Sequence, residues 1–313
     1  MSRGHGHHHH KGHSHHLHLL ENGGDRRVAW AVAANVLLTA GQIAGGIVSG
    51  SIALIADAIH NLSDAMTLVI ALVARRIARR PSDATMTFGY GRAETVAALV
   101  NYTTLILISL YLAYEAVWRL LDPTQITGWI VIAVAGLALA VDVLTAMLTY
   151  SMSKDSLNIR AAFLHNMADA GTSVAVILGG VLVMLFDWRL VDPLLTLGIS
   201  GYILWHALTD IGPVIRILML GVPPGVDPHE VARAVRGVAG VAGVHNIYLW
   251  QIDERRFTLQ AHLVLHGATD EAEARRAVRA LLAREFRLGQ VTLETERAEA
   301  GCANPALIGS GAG

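Results

Sequence analysis

Six apolar segments dominate this sequence, and each is close to the roughly 20 residues that an α-helix needs to cross a lipid bilayer. Asn101, Tyr102 and Asp142 interrupt two of them, but polar groups that face the interior of a helix bundle are tolerated. Only 16% of the residues are charged, against about a quarter in soluble domains. We predict membrane helices at 28–49, 52–76, 95–119, 127–150, 161–186 and 190–211.

Basic residues are distributed unevenly between these helices. They are concentrated before helix 1, between helices 2 and 3, between helices 4 and 5, and after helix 6, whereas the opposite loops carry only Arg119 and Arg189. Since Lys and Arg stay on the cytoplasmic side, both termini are predicted to be cytoplasmic. No secretory signal is visible, and the single cysteine, Cys302, suits a reducing compartment. The expected location is a bacterial inner or plasma membrane.

The first 27 residues are of low complexity and rich in histidine. Gly, Lys, Ser and Leu interrupt the histidine run, which favours a native metal-attracting tail over a purification tag, although the tag remains the alternative. Such a segment has no means of burying a core and is predicted to be disordered. Its histidines are His5, His7, His8, His9, His10, His13, His15, His16 and His18.

After the sixth helix the composition becomes that of a soluble domain. Pro223-Pro224-Gly225 predicts a linker, and Asp227-Pro228 is typical of a helix start. A helix–strand–strand–helix–strand order then predicts a small α+β domain with an antiparallel sheet. The predicted elements are a helix at 228–236, strands at 244–252 and 256–266, a helix with Ala274, Val278, Leu281 and Leu282 on its apolar face, and a strand at 290–296.

Helices 2 and 5 each contain the motif His-Asn-x-x-Asp within an apolar segment. In each motif the histidine and the aspartate are one helical turn apart, so both side chains can point at one ion. Two facing pairs supply two imidazoles and two carboxylates, which suits tetrahedral Zn²⁺. Hydrogen bonding between helices is the alternative, but a charge at the bilayer centre costs about 2.5–3.5 kcal/mol on insertion scales. The predicted ligands are His60, Asp64, His165 and Asp169.

Asp57, Asn61 and Asn166 are close to these ligands along the same helices. All three are predicted to orient the ligands, and direct coordination of the metal is an equal alternative for Asp57 and Asn61. An intramembrane metalloprotease would need a general base and an open coordination position, usually as His-Glu-x-x-His, which the sequence lacks. A passive channel would favour weaker binding at several sites, and a purely structural metal-binding scaffold is a third alternative. A transporter, not an enzyme, is expected.

These motifs resemble those of the cation diffusion facilitator family of metal/proton antiporters. The resemblance covers almost all of the chain from Val28 to Glu296, and its motifs are SIALIADAIHNLSD in helix 2, FGYGRAE entering helix 3 and HNMAD in helix 5. It implies a homodimer that exports cytoplasmic metal in exchange for protons. It also assigns the transport-site role to the two histidines and two aspartates, as in zinc-preferring members. Cd²⁺, Co²⁺ and Ni²⁺ remain open, because imidazole and carboxylate accept most of this series.

The fold implied by the resemblance is an all-α six-helix transmembrane bundle followed by a cytoplasmic α+β ferredoxin-like domain. The expected parts are a disordered tail at 1–27, the bundle at 28–215, the sensing and dimerisation domain at 222–297 and a flexible tail at 298–313.

The resemblance also implies that zinc regulates the protein through a second site in the soluble domain. Family members bind regulatory metal near the dimer contact at positions that match His245, His262, Glu294 and Glu296. This sequence departs from one version of the pattern, because Asn246 follows His245 where Asp is common, and Glu294 stands where some members have His. Ordinary solvated strand residues are the alternative.

Overall fold

The computed structural model describes residues 25–153, 157–297, 302 and 306–309. Within its helices the side chains of 25–34, 64–65, 67–68, 71–72, 148–153 and 157–166 are not described. The first helix begins at Asp25, so it includes the last three residues of the predicted disordered tail. The rest of that tail, with all nine predicted histidines, lies outside the described residues.

Six long helices make up the first part of the chain, and each coincides with one predicted segment. Most of them extend past a predicted end, most of all at the end of the sixth helix, because a helix keeps its backbone hydrogen bonds beyond the bilayer. Their bounds are α1 Asp25–Ser49, α2 Ile52–Ala78, α3 Arg92–Leu121, α4 Gly128–Ser153, α5 Leu157–Phe186 and α6 Val191–Leu218.

Four of these helices are long and apolar enough, within their described residues, to cross a membrane. They are α3, α6, and the stretches Gly128–Met147 of α4 and Met167–Phe186 of α5. The described apolar stretches of α1 and α2 are shorter, at Asn35–Ser49 and Ile52–Ser63. Large apolar side chains lie exposed along the bundle, as expected of a surface that faces lipid.

Small residues bring the membrane helices close together. Gly45 of α1 faces Val134 of α4, where a Cβ atom on Gly45 would lie 2.8 Å from the valine side chain. Any side chain at this position would push the two helices apart. The buried core of the bundle is made of Ala53, Leu54, Ala56, Leu112, Val131, Ala135, Val176, Ile199 and Ile203.

A buried carboxylate from α6 holds the start of α2. Asp192 accepts hydrogen bonds from the backbone N–H groups of Ile52, at 2.9 Å, and Ala53, at 3.4 Å, and from the hydroxyl of Ser51. These N–H groups have no partner within their own helix, and the positive end of the helix dipole favours an anion there. The contact therefore fixes the N-terminal end of α2, and the motif residues follow further along the same helix.

The C-terminal domain has the predicted order of elements but not the predicted sheet. Strands β1 and β2 are antiparallel, whereas β2 and β3 are parallel, in the order β1-β2-β3. The expectation of a wholly antiparallel sheet is therefore wrong for β3. Its elements are α7 Pro228–Arg236, β1 Val241–Gln251, β2 Phe257–Leu265, α8 Glu271–Phe286 and β3 Gln290–Arg297.

Both helices of this domain contribute to one hydrophobic core with the sheet. The predicted apolar face of α8 is buried at Ala274, Val278 and Leu282, and Leu281 is partly buried. On β2 the residues at alternate positions from Leu259 to Leu265 are buried, as a strand with one face on a core requires.

Four residues near the C-terminus pair with the edge of β1, where the sequence interpretation expects a flexible tail. The N–H groups of Asn246 and Ile247 donate to the carbonyls of Ala306 and Leu307 at 2.8 Å and 3.0 Å. Ile247 and Ile308 form a parallel bridge. The strand accommodates this partner through a bulge, because its register to β2 shifts between His245 and Tyr248 and Asn246 has a φ of 51°.

Candidate metal sites

The two motif helices bring His60 and Asp169 into contact. Nε2 of His60 lies 3.1 Å from Oδ1 of Asp169, and Asp169 is buried with only 7% of its surface exposed. The pair therefore links α2 to α5 by an imidazole–carboxylate contact inside the bundle. Asp64 lies one turn after His60 on α2 and His165 one turn before Asp169 on α5, and their side chains are not among those described.

A buried chain of hydrogen bonds connects α1 to the same part of α2. Nε2 of Gln42 donates to Oδ2 of Asp57 at 2.9 Å, and Nδ2 of Asn61 donates to Oε1 of Gln42 at 3.2 Å. All three side chains are buried, so each needs such a partner. Asp57 and Asn61 thus each hydrogen-bond to Gln42, while the side chain of Asn166 is not described.

The sequence interpretation overlooks Gln42 and Tyr202, which both lie in this region. Gln42 could have been found from the sequence, because a polar side chain within an apolar segment is expected to face the interior of the bundle. Tyr202 of α6 lies edge-on to His60, with ring centroids 6.1 Å apart, and contacts His206 at 4.6 Å.

In the C-terminal domain, strand pairing brings the predicted regulatory residues together. His245 is opposite His262, and His262 is opposite Glu294. Glu296 is on the same strand face as Glu294, two residues further on. Oε2 of Glu296 lies 3.4 Å from Nε2 of His245, and Oε1 contacts Nδ1 of His262. Glu294 lies 3.4 Å from His262, but 69% of its side chain is exposed.

Cys302 completes a cluster that the sequence interpretation did not anticipate. One ligand atom from each of His245, His262, Glu296 and Cys302 lies within 4.8 Å of the other three. We call these four residues the sheet cluster; Glu294 is outside it. The sequence offered only a weak signal, because Cys302 is far from both histidines along the chain.

Hydrogen bonds within the sheet cluster shift two pKa values. Partial burial acts to raise the pKa of Glu296, but hydrogen bonds from Cys302 and His262 outweigh it, so the pKa lies below its ordinary value. The same carboxylate accepts a hydrogen bond from the Cys302 thiol and raises the pKa of that thiol. The thiol of Cys302 and the carboxylate of Glu296 thus form a hydrogen-bonded donor and acceptor at the place where the ligand atoms converge.

Both parts of the chain match known family models. Residues 28–219 match the cation efflux transmembrane domain, and residues 223–298 match the cytoplasmic domain of cation efflux proteins. Together with long apolar helices that are followed along the chain by an α+β domain, these matches define a multi-pass membrane transporter of metal cations and not an enzyme. The chain belongs to the cation diffusion facilitator family.

Its relatives transport several metals. A cadmium, cobalt and zinc/H(+)-K(+) antiporter of Bacillus subtilis is 34% identical over 237 residues, which are 75% of this chain and 76% of that protein. The metal cation efflux system protein CzcD of Cupriavidus metallidurans is 33% identical over 299 residues, or 92% and 94%. The zinc transporter ZitB of Escherichia coli is 32% identical over 243 residues, or 76% and 77%.

Proposed function

We propose that this protein exports Zn²⁺ from the cytoplasm in exchange for protons, through a site made of His60, Asp64, His165 and Asp169. The observation that carries the proposal is the contact between His60 and Asp169, which joins the two helices that hold the two motifs. Two imidazoles and two carboxylates form a complete tetrahedral set for zinc. Such a set leaves no position for a catalytic water, which supports transport over hydrolysis.

Alternating access follows from having the ligands on two helices. When α2 and α5 are close, the four donors surround the ion; when the helices separate, the set is broken and the ion leaves. Protons compete with the metal, because zinc binds only deprotonated imidazole and carboxylate. The names of the relatives support Cd²⁺ and Co²⁺ as further substrates, and the donor chemistry extends this to Ni²⁺.

We further propose a homodimer with both termini in the cytoplasm. The loop charges support this orientation, and the family model of the C-terminal domain is that of a cytoplasmic domain.

Metal bound at His245, His262 and Glu296, with Glu294 at the margin of the site, then reports the cytoplasmic zinc concentration. The parallel arrangement of β2 and β3 supports this role, because it aligns the carboxylates of β3 with the histidine of β2.

The direct test is zinc uptake into proteoliposomes that contain the purified protein and a zinc-sensitive dye. We expect zinc to accumulate inside well above the level in protein-free vesicles when the lumen is acidic. Because the relative from Bacillus subtilis is named for H(+) and K(+), potassium is omitted on both sides. A dye signal equal to that of empty vesicles would contradict transport and leave the scaffold alternative.

The histidine-rich N-terminal segment is expected to assist transport without being essential. Closely spaced imidazoles bind zinc weakly and raise its concentration near the entrance, but they lie before the first membrane helix and cannot form the translocation site. Deleting residues 1–20 should therefore lower the apparent zinc affinity or rate only partly, measured by the same uptake assay. A matched control replaces the histidines with glutamine at full length. Complete loss of uptake in both would show that this segment is part of the transport mechanism.

A further inference from the structure

A third His-x-x-x-Asp pair lies on α6, at His206 and Asp210. It has the spacing of the pairs in the two motif helices, so both side chains lie on one side of the helix, one turn apart. Since α6 is long and apolar enough to cross a membrane, a histidine and an aspartate within it are costly and mark a pathway or a site for an ion. The proposed transport site does not account for this pair.

Both side chains lie beside the face of α6 that packs inside the bundle. That face includes Ile203 and Ala207, with 4% and 2% of their surfaces exposed. His206 and Asp210 each follow one of these residues by about one turn, and both are partly buried. Thr209, between them, is exposed. The pair is therefore on the packed side of α6 and not on its exposed side.

The depth of the pair follows from α2, which lies beside α6 and runs in the same direction. Asp192 in the first turn of α6 holds the first turn of α2, and further along both helices Tyr202 lies edge-on to His60. The ring centroid of His206 is 4.6 Å from that of Tyr202, and Asp210 is one turn beyond His206. From the level of His60 the pair thus extends about 12 Å towards the C-terminal end of α6, since eight residues at 1.5 Å each separate Tyr202 from Asp210.

The C-terminal end of α6 leads into the domain that matches a cytoplasmic family model. In the proposed orientation, the pair thus lies on the cytoplasmic side of His60, where metal for export arrives. Imidazole and carboxylate both bind zinc, and two protein ligands leave the rest of the coordination sphere to water. Such a site holds an ion strongly enough to collect it and weakly enough to release it.

We propose that His206 and Asp210 form an entry site, which takes a hydrated divalent transition-metal ion from the cytoplasmic side and passes it to the transport site. Zn²⁺, Co²⁺ and Ni²⁺ suit this donor pair, because imidazole and carboxylate accept most of the series. Tyr202 lies against both His206 and His60, so the two sites are adjacent. The inference rests on the proposed function, because the ion is delivered to the proposed transport ligands, but binding to the pair does not itself require transport.

The kinetics of zinc uptake by the full-length protein in proteoliposomes test this role. Loss of an entry site slows the loading of the transport site, so Asp210→Asn and His206→Asn should each raise the KM for zinc about tenfold or more, the scale of loss when a contact at a metal site is removed. The rate at saturating zinc should stay near that of wild type, since the transport ligands are unchanged. Asp210→Glu and His206→Asp keep a ligand and should have a KM close to that of wild type.

Thr209→Ala is the matched control. This residue is on the same turn of α6 but is exposed, and its hydroxyl donates to the carbonyl of Trp205 at 2.8 Å, so its KM should equal that of wild type. A KM that is unchanged in both Asn variants would overturn the proposal. A fall in the saturating rate that the Asn variants share with the ligand-retaining variants would also overturn it, because the pair would then have only a structural role.

Trp205 gives a second readout, which does not depend on transport. Its ring centroid lies 4.9 Å from that of His206, so a paramagnetic ion such as Co²⁺ bound to this histidine quenches the fluorescence of the indole. The Trp205 signal is the difference between proteins with and without Trp205→Phe. In detergent and in an Asp169→Ala background, where the transport site is incomplete, Co²⁺ should quench that signal, and His206→Asn should abolish the quenching.

Quenching of Trp205 that persists in His206→Asn, or no quenching in the protein that retains His206, would overturn the proposal. The two readouts also separate this inference from the proposed function. If wild type shows no zinc uptake while Trp205 is quenched through His206, the proposed transport function fails, whereas metal binding by the pair is supported.

Discussion

Asp169→Ala is expected to reduce zinc uptake to the level of protein-free vesicles. The side chain is buried and contacts His60 across the interface of α2 and α5. Its removal leaves at most three of the four proposed ligands and takes away a negative charge that offsets the charge of the ion. Loss of one donor from a four-ligand site weakens binding far more than loss of an orienting contact, which costs about 10–100-fold. Asp64→Ala should have the same effect.

The matched control is Asp187→Ala. This aspartate follows the end of the same helix, α5, but it is exposed and pairs with Arg189, with Oδ2 at 2.7 Å from the guanidinium. An exposed ion pair of this kind contributes little to stability, so uptake should stay near the wild-type rate. Each variant is compared at equal amounts of folded protein, measured by size-exclusion chromatography in detergent. Uptake near wild type by folded Asp169→Ala would show that the transport site lies elsewhere.

Zinc accumulation is expected to rise steeply with an opposing proton gradient. One pH unit corresponds to about 1.36 kcal/mol per proton, which is a factor of about ten. With the membrane potential clamped, each pH unit should therefore raise the limiting zinc ratio across the membrane about tenfold for every proton exchanged. The slope of that dependence measures the proton stoichiometry. The measurement uses proteoliposomes with a series of luminal pH values and a neutral medium that contains zinc.

The proton-coupled mechanism can also be tested with a substitution of His60. An unperturbed imidazole titrates near pH ~6.5, whereas an aspartate titrates near pH ~3.9, so His60→Asp should keep some transport but change its pH dependence and metal preference. A protonophore serves as the control in wild type, since it should reduce accumulation to the passive level. If wild-type flux is indifferent to the gradient, antiport is contradicted and a passive channel becomes the better explanation.

The membrane helices could be predicted because a bilayer demands long apolar segments, and their positions need no long-range information. The motif residues could be predicted for a related reason, since charged groups within such segments need a function. Gln42 was missed although it follows the same rule, because an uncharged amide is a weaker signal than a carboxylate. Its role depends on which helix packs beside it, and apolar periodicity does not specify that neighbour.

The C-terminal domain shows what strand patterns leave undetermined. Alternation of apolar residues on β3 is the same for a parallel and an antiparallel strand, so it does not set the direction of pairing. The connection does, because α8 crosses between β2 and β3 and parallel neighbours need a crossover of this length. Cys302 could not be placed for a different reason: it contacts Glu296 and His262 near a C-terminal segment that pairs with β1, and apolar periodicity does not reveal such long-range contacts.

Because Asp192 holds the first turn of α2, a rotation of the helix about that end would displace residues further along by larger distances. Its first turn is held by the carboxylate contacts to Ile52 and Ala53. His60 lies eight residues further along, or about 12 Å at 1.5 Å per residue. A tilt of about 10° around the held end displaces that position by about 2 Å, which is enough to open the contact to Asp169. The residues beyond it, including Asp64, swing further still, so a small rotation at one end of the helix is amplified towards the other.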